Sequence, residues 1–119
     1  MKILVLQHMT GEDAGLFAQI MEADGIGYDV IEVQTGAVLP SPDSYQGLLV
    51  LGGAQQVWET NKYVWLGGEI EFIRQWVRAQ HKPYFGICLG HQLLAVALGG
   101  EVGVSDKPEL GYPQVELTE

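Results

Sequence analysis

The sequence predicts an α/β fold built on a doubly wound parallel sheet, and two observations carry that expectation. Four short segments are continuous apolar runs rather than alternating ones, which is how strands buried on both faces read. Segments of helical periodicity stand between them, and strands alternating with helices imply βαβ units.

The first strand is KILVLQ, residues 2–7, followed by YDVIEV (28–33), GLLVLG (47–52) and PYFGI (83–87). Between the first two, EDAGLFAQIMEADG places Leu16, Phe17, Ile20 and Met21 at helical spacing, with acids in the first turn and Gly25 as a stop. In WLGGEIEFIRQWVRAQ, Leu66, Ile70, Ile73 and Val77 form a second apolar stripe, and Pro83 opens the next strand. A third helix is expected in HQLLAVALGG, with Leu93, Leu94, Ala97 and Leu98 on one face and Gly99-Gly100 closing it. TGAVLPSPDSYQ (35–46) reads as a surface connection, and the tail from Glu101 holds two short β-like runs, 101–104 and 114–118. In such a sheet, sites lie beyond the carboxyl ends of the strands, so the informative loops are 7–12, 52–60 and 87–91.

At 119 residues the chain has the length of one domain. Six Lys and Arg against 15 Asp and Glu leave a formal charge of −9, which argues against a phosphate-tracking surface and so against nucleic acid as a partner. One cysteine forms no internal disulfide, and the apolar start MKILVLQ is too short for a signal or a membrane span, so a cytoplasmic location is expected, with no membrane partner. There is no phosphate loop of Gly-x-x-x-x-Gly-Lys type and no metal-ligand cluster, so neither a cofactor nor a metal is expected.

The single cysteine lies in GICLG, residues 86–90, where the fourth strand meets the third helix. Gly-x-Cys-x-Gly at such a junction has the form of a nucleophile elbow, in which Gly86 and Gly90 allow a tight turn and close backbone approach. Cys88 then sits at a helix N-terminus, where free N–H groups and the positive end of the dipole favour thiolate over thiol. The N–H groups there, that of Leu89 first, are placed to hydrogen-bond an oxyanion, and the Gly52-Gly53 pair on the same sheet edge can offer a second donor. A lone cysteine in an apolar run is more often a small buried hydrophobe. The two flanking glycines at a strand end reverse that preference.

With GICLGHQLLA (86–95) and LVLGGAQQV (49–57) in this order on these elements, the chain resembles the class I glutamine amidotransferases. MKILVLQH at the start and ELGYPQVELT at the end resemble their stand-alone, GMP-synthase-like members. The resemblance implies a flavodoxin-like doubly wound sheet, and it covers this chain but only the amino-terminal part of the family's domain. The fold is therefore expected to be incomplete at the C-terminus. The implied activity is glutamine hydrolysis, with Cys88 attacking the side-chain amide to form a γ-glutamyl thioester and release ammonia. By motif position Gly53 and Leu89 match the oxyanion donors, and Gln92 matches a residue lining the glutamine pocket.

Two departures follow. The family commonly has proline after the two glycines where this chain has Ala54, which removes a fixed φ and leaves the loop freer to flip, so a preformed oxyanion hole does not follow from the sequence. The family's His-x-Glu motif lies well downstream of the elbow and has no counterpart in these residues. Of the three histidines, His91 lies on the elbow helix and His81 at the opposite end of the sheet, so His8, just past the first strand, is the one candidate stand-in on the catalytic edge, a polar loop residue being the commoner reading of such a position. Glu12, Asp13 and Glu59 lie near the same edge and read as solvated loop charges.

The alternatives are a catalytically silent binding or assembly module, or a γ-glutamyl hydrolase-like thiol hydrolase using the same elbow. Apolar surface left open by an incomplete sheet is expected to be covered by a homo-oligomer or a complementing carboxy-terminal chain. The acceptor of the ammonia, or a synthetase partner, is not indicated by any motif.

Overall fold

The computed structural model describes residues 1–119. Strands β1 (Lys2–Gln7), β2 (Gly27–Glu32), β3 (Gly47–Val50) and β4 (Tyr84–Gly86) form one parallel sheet in the order β2-β1-β3-β4. Helices α1 (Gly15–Ala23), α2 (Val64–Arg78) and α3 (Leu89–Ala97) supply the crossovers. This strand order is that of a flavodoxin-like doubly wound sheet, with its topological switch point between β1 and β3.

The side-chain alternation of the strands divides the core in two. Leu4, Leu6, Leu48 and Val50 point to one face and meet Leu66, Ile73 and Trp76 of α2 and Leu89, Leu93 and Ala97 of α3 in a cluster of 14 buried residues. Val5, Leu49 and Leu51 point to the other face, where Ala14 and Met21 complete a cluster of only five. Trp76 is fully buried, and its indole N–H donates to the carbonyl of Pro83 at 3.0 Å, fastening the end of α2 to the start of β4. No helix is long and apolar enough to cross a membrane.

The expected elements are present, with differences of a few residues at their ends and four larger ones. The edge strands β2 and β4 are not buried on both faces as their apolar runs predicted: neither contains a buried residue, and Val30 and Phe85 are exposed, because each edge strand has a neighbour on one side only. In α1 the stripe is not a buried face: Met21 is buried, but Leu16 is 67% exposed and Ile20 50% exposed. Phe17 reaches the exposed Phe85 of edge strand β4, ring centroids 5.6 Å apart, so α1 covers only part of its side of the sheet. The acids Glu12 and Asp13 precede the helix rather than forming its first turn, because Asp13 turns back to accept from the Gly15 N–H at 2.8 Å and the helix begins at that glycine, with φ of 49°. The tail from Glu101 contains no strand. Its two β-like runs find no neighbouring strand to pair with, and an unpaired extended segment gains no ladder hydrogen bonds.

Candidate active site

Three turns converge at the switch point. β1 runs into His8, β3 into Leu51-Gly52-Gly53, and β4 into Ile87-Cys88. Hydrogen bonds from Leu51 N to Leu6 O (3.0 Å) and from Ile87 N to Val50 O (2.9 Å) carry the ladder past the strands and keep the turns in register. Gly52 lies so close to the elbow that a Cβ on it would be 3.6 Å from the Cβ of Cys88.

Cys88 is exposed and caps α3 with φ of 52° and ψ of −107°, a conformation L side chains rarely adopt. Residues held this way cost on the order of 1–3 kcal/mol and persist only where the surroundings impose them. The surroundings here are specific. A Cβ on Gly86 would fall 2.6 Å from the carbonyl of Gly90, and one on Gly90 would overlap the carbonyl of Val50 in β3. The elbow therefore packs backbone on backbone. Inside it, Gly90 N donates to Ile87 O (2.9 Å), Gln92 N to Cys88 O (3.1 Å) and the Tyr84 hydroxyl to Gly90 O (2.6 Å). Burial, with the charge of Glu69 as second cause, pushes the Tyr84 hydroxyl far above its ordinary value, so it stays a donor to that carbonyl.

Neither the Gly53 N–H nor the Leu89 N–H donates a hydrogen bond within the chain. Leu89 opens α3, where the first N–H groups have no intrahelical partner. A Cβ on Gly53 would meet Leu89 Cδ2 at 2.9 Å and Gln55 Oε1 at 2.5 Å, so a larger residue there would have to displace those side chains. Both N–H groups are thus without a partner in the chain, that of Leu89 next in sequence to the strained thiol and that of Gly53 on the adjoining glycine turn. Gln92 is half-buried one helical turn beyond Cys88, on the same side of α3.

His8 is neither a free base nor a solvated loop residue. It is fully buried, and both ring nitrogens are engaged: Nε2 lies 2.7 Å from Glu69 Oε1 and Nδ1 lies 3.2 Å from the carbonyl oxygen of Gly52. Trp65 stacks on the ring at a centroid distance of 5.9 Å, and the Gln55 amide donates to the His8 carbonyl at 3.2 Å. No nitrogen is left to serve the thiol. His81 lies before β4, at the end of the sheet opposite the thiol, and His91 is exposed on α3. Glu59 accepts from the Gln56 N–H at 2.8 Å and stabilises its own loop.

Glu69 was not singled out from the sequence. It is fully buried in α2, and its second oxygen, Oε2, has no partner. The signal was present: Glu69 lies three residues after Leu66 and four before Ile73, on the apolar stripe itself, and an acid on a core stripe requires a buried partner.

The glutamine amidotransferase class-I family model matches residues 16–118. A glutamine amidotransferase-like protein of Salmonella typhimurium, YfeJ, is 33% identical over 100% of this chain and 51% of its own length. A glutamine-hydrolyzing GMP synthase of Aeropyrum pernix is 34% identical over 90% of this chain and 20% of its own. The crystal structure of a glutamine amidotransferase from Methylobacillus flagellatus superposes with a TM-score of 0.84 at 32% identity, covering 92% of this chain and 43% of that one. The chain spans between a fifth and about half of the length of these relatives. Family match, strand order and elbow agree, and the chain belongs to the class I glutamine amidotransferases.

Proposed function

We propose that this chain is the nucleophile-bearing part of a glutamine amidotransferase. Cys88 Sγ attacks the side-chain amide carbon of glutamine, and the carbonyl oxygen takes the negative charge and accepts from the Gly53 and Leu89 N–H groups. Collapse expels the amide nitrogen, which leaves as ammonia after gaining a proton, and a γ-glutamyl thioester remains. Water then cleaves the thioester to glutamate and restores the thiol. Gln92 lines the glutamine pocket. The observation that supports this reading most is the strained Cys88 at a helix start with two unpartnered N–H groups beside it.

The proton transfers require a base that His8, His81 and His91 do not supply, so in this reading it comes from another part of the protein or from a partner. The ammonia passes to an acceptor held in the same way. The test is a glutaminase assay on the longest natural form of the protein, together with labelling by a diazo-ketone analogue of glutamine. Release of ammonia and a mass increase on Cys88 are expected. An unlabelled Cys88, or a strong preference for γ-glutamyl peptides over glutamine, overturns the reading.

The engagement of both nitrogens of His8 favours a second reading, in which these residues form a silent module that binds glutamine without turning it over. Glutamine binding without ammonia release by the longest form would select it.

A further inference from the structure

We propose that the buried His8–Glu69 pair is a positioning device that holds the Gly52–Gly53 peptide with its N–H turned to the side on which Cys88 stands. This rests on the reading of Gly53 N–H as an oxyanion donor.

The carbonyl oxygen of Gly52 can only accept, so at 3.2 Å the facing Nδ1 of His8 must carry a proton. The other ring nitrogen, Nε2, is hydrogen-bonded to Glu69 Oε1 at 2.7 Å, with both side chains fully buried. Glu69 therefore sets the ring. Without an acid at Nε2, the ring could take the tautomer with a bare Nδ1, placing two lone pairs face to face and driving the Gly52 carbonyl away. All peptide bonds of the chain are trans, and in a trans peptide the C=O and the next N–H point in opposite directions. A Gly52 carbonyl tied to His8 thus sends the Gly53 N–H away from the ring, where it makes no bond within the chain.

The loop supplies little constraint of its own. Gly52 and Gly53 are conformationally permissive, and Ala54 after them has no ring to fix φ. What confines the segment is the wall on either side: a Cβ on Gly53 would be 3.0 Å from His8 Cβ and 2.9 Å from Leu89 Cδ2. Trp65 against the far face of the imidazole keeps the ring from swinging out.

The test compares two reactions of Cys88 in the full chain. Acylation by p-nitrophenyl acetate forms a thioester, expels p-nitrophenolate and passes through an oxyanion. Alkylation by iodoacetamide displaces iodide and forms no oxyanion. The Cys88→Ala variant supplies the background for both. His8→Gln keeps a donor for Glu69 but none for the Gly52 carbonyl, and its acylation should fall about 10- to 100-fold while alkylation stays within about twofold. His8→Asn, whose amide nitrogen replaces Nδ1, should restore most of the acylation. Unchanged acylation in His8→Gln, or acylation and alkylation falling together with no rescue by His8→Asn, overturns the proposal. Nitrogen NMR of the wild-type ring decides it should the variants not fold: a protonated Nδ1 supports it, and a bare Nδ1 overturns it. The two proposals fail separately. Ammonia released equally by His8→Gln and wild type sinks this one alone, whereas His8-dependent acylation with no glutamine hydrolysis sinks the function alone.

Discussion

Gly90 and the carbonyl of Val50 are in backbone contact, so close that a methyl group on Gly90 would overlap the oxygen and lie 2.8 Å from the carbonyl carbon. The contact lets α3 start directly over the end of β3, which brings Cys88 beside Gly52. Neither partner can yield, since Val50 pairs with Leu6 in β1 and Gly86 in β4, in the middle of the sheet.

The Gly90→Ala variant should therefore be destabilised by about 3 kcal/mol, at the upper end of overpacking costs, because backbone rather than a side chain has to move. Gly67→Ala is the control, since a Cβ there meets nothing within 4 Å and alanine favours a helix interior. Urea midpoints should fall for Gly90→Ala and hold or rise for Gly67→Ala. Equal midpoints would mean that the elbow has room to open.

The elbow was legible in the sequence because its parts are local: Gly86, Cys88 and Gly90 lie within five residues, and their geometry follows from residue type at a strand–helix junction. The parallel sheet was legible from its unbroken apolar runs, but they report burial on both faces only for the central strands β1 and β3; the edge strands β2 and β4, read in the same way, contain no buried residue. His8–Glu69 was not, because its members are 61 residues apart and their meeting depends on how α2 lies across the sheet. A polar residue just past a buried strand was legible, but its partner had to be found on another element. Periodicity also showed that α1 has an apolar face without showing what covers it, and Leu16 and Ile20 are exposed. The tail shows that β-propensity without a pairing strand makes no strand.

Removing one member of the buried pair should cost more than softening it. Glu69→Leu leaves His8 Nε2 without a partner in a closed core, and a loss of about 2–3 kcal/mol is expected. Glu69→Gln offers an amide that can donate to a bare Nε2 while Nδ1 keeps its proton for Gly52, so a loss of about 1 kcal/mol is expected. Urea unfolding of the two variants checks the difference. A Glu69→Leu protein as stable as Glu69→Gln would show that the pair contributes nothing beyond packing.

Tyr84 gives the fold an alkaline limit. Burial first, and Glu69 second, raise its folded-state pKa well above the ordinary value of 10.0. A raised folded pKa means that the associated stability is fully present below the unfolded value and is lost as the pH climbs from there toward the folded one. Tyr45, raised chiefly by its hydrogen bond to Asp29, acts in the same direction. Urea midpoints should be flat on this account up to about pH 10 and then fall. Tyr84→Phe should start about 1 kcal/mol lower at neutral pH, having lost the bond to Gly90 O, and should fall less steeply above pH 10. An unchanged alkaline slope would remove Tyr84 as the cause.

The strain at Cys88 can be separated from its chemistry by two substitutions that both delete the thiol. Cys88→Ala keeps a Cβ and therefore keeps the cost of φ at 52° and ψ at −107°. Cys88→Gly removes that cost, on the order of 1–3 kcal/mol, and gives back roughly 0.5–1 kcal/mol through the greater freedom of the unfolded chain. Glycine should thus be the more stable of the two by about 1 kcal/mol, although neither is labelled by a glutamine analogue. Such a result means that the turn holds a side chain it would fold more readily without, which is expected where a residue is retained for reaction rather than packing. Equal stability would mean that the surrounding hydrogen bonds from Gly90, Gln92 and Tyr84 shape the turn at no cost to Cys88, and the case for a strained nucleophile would then rest on its exposure and its two neighbouring N–H groups alone.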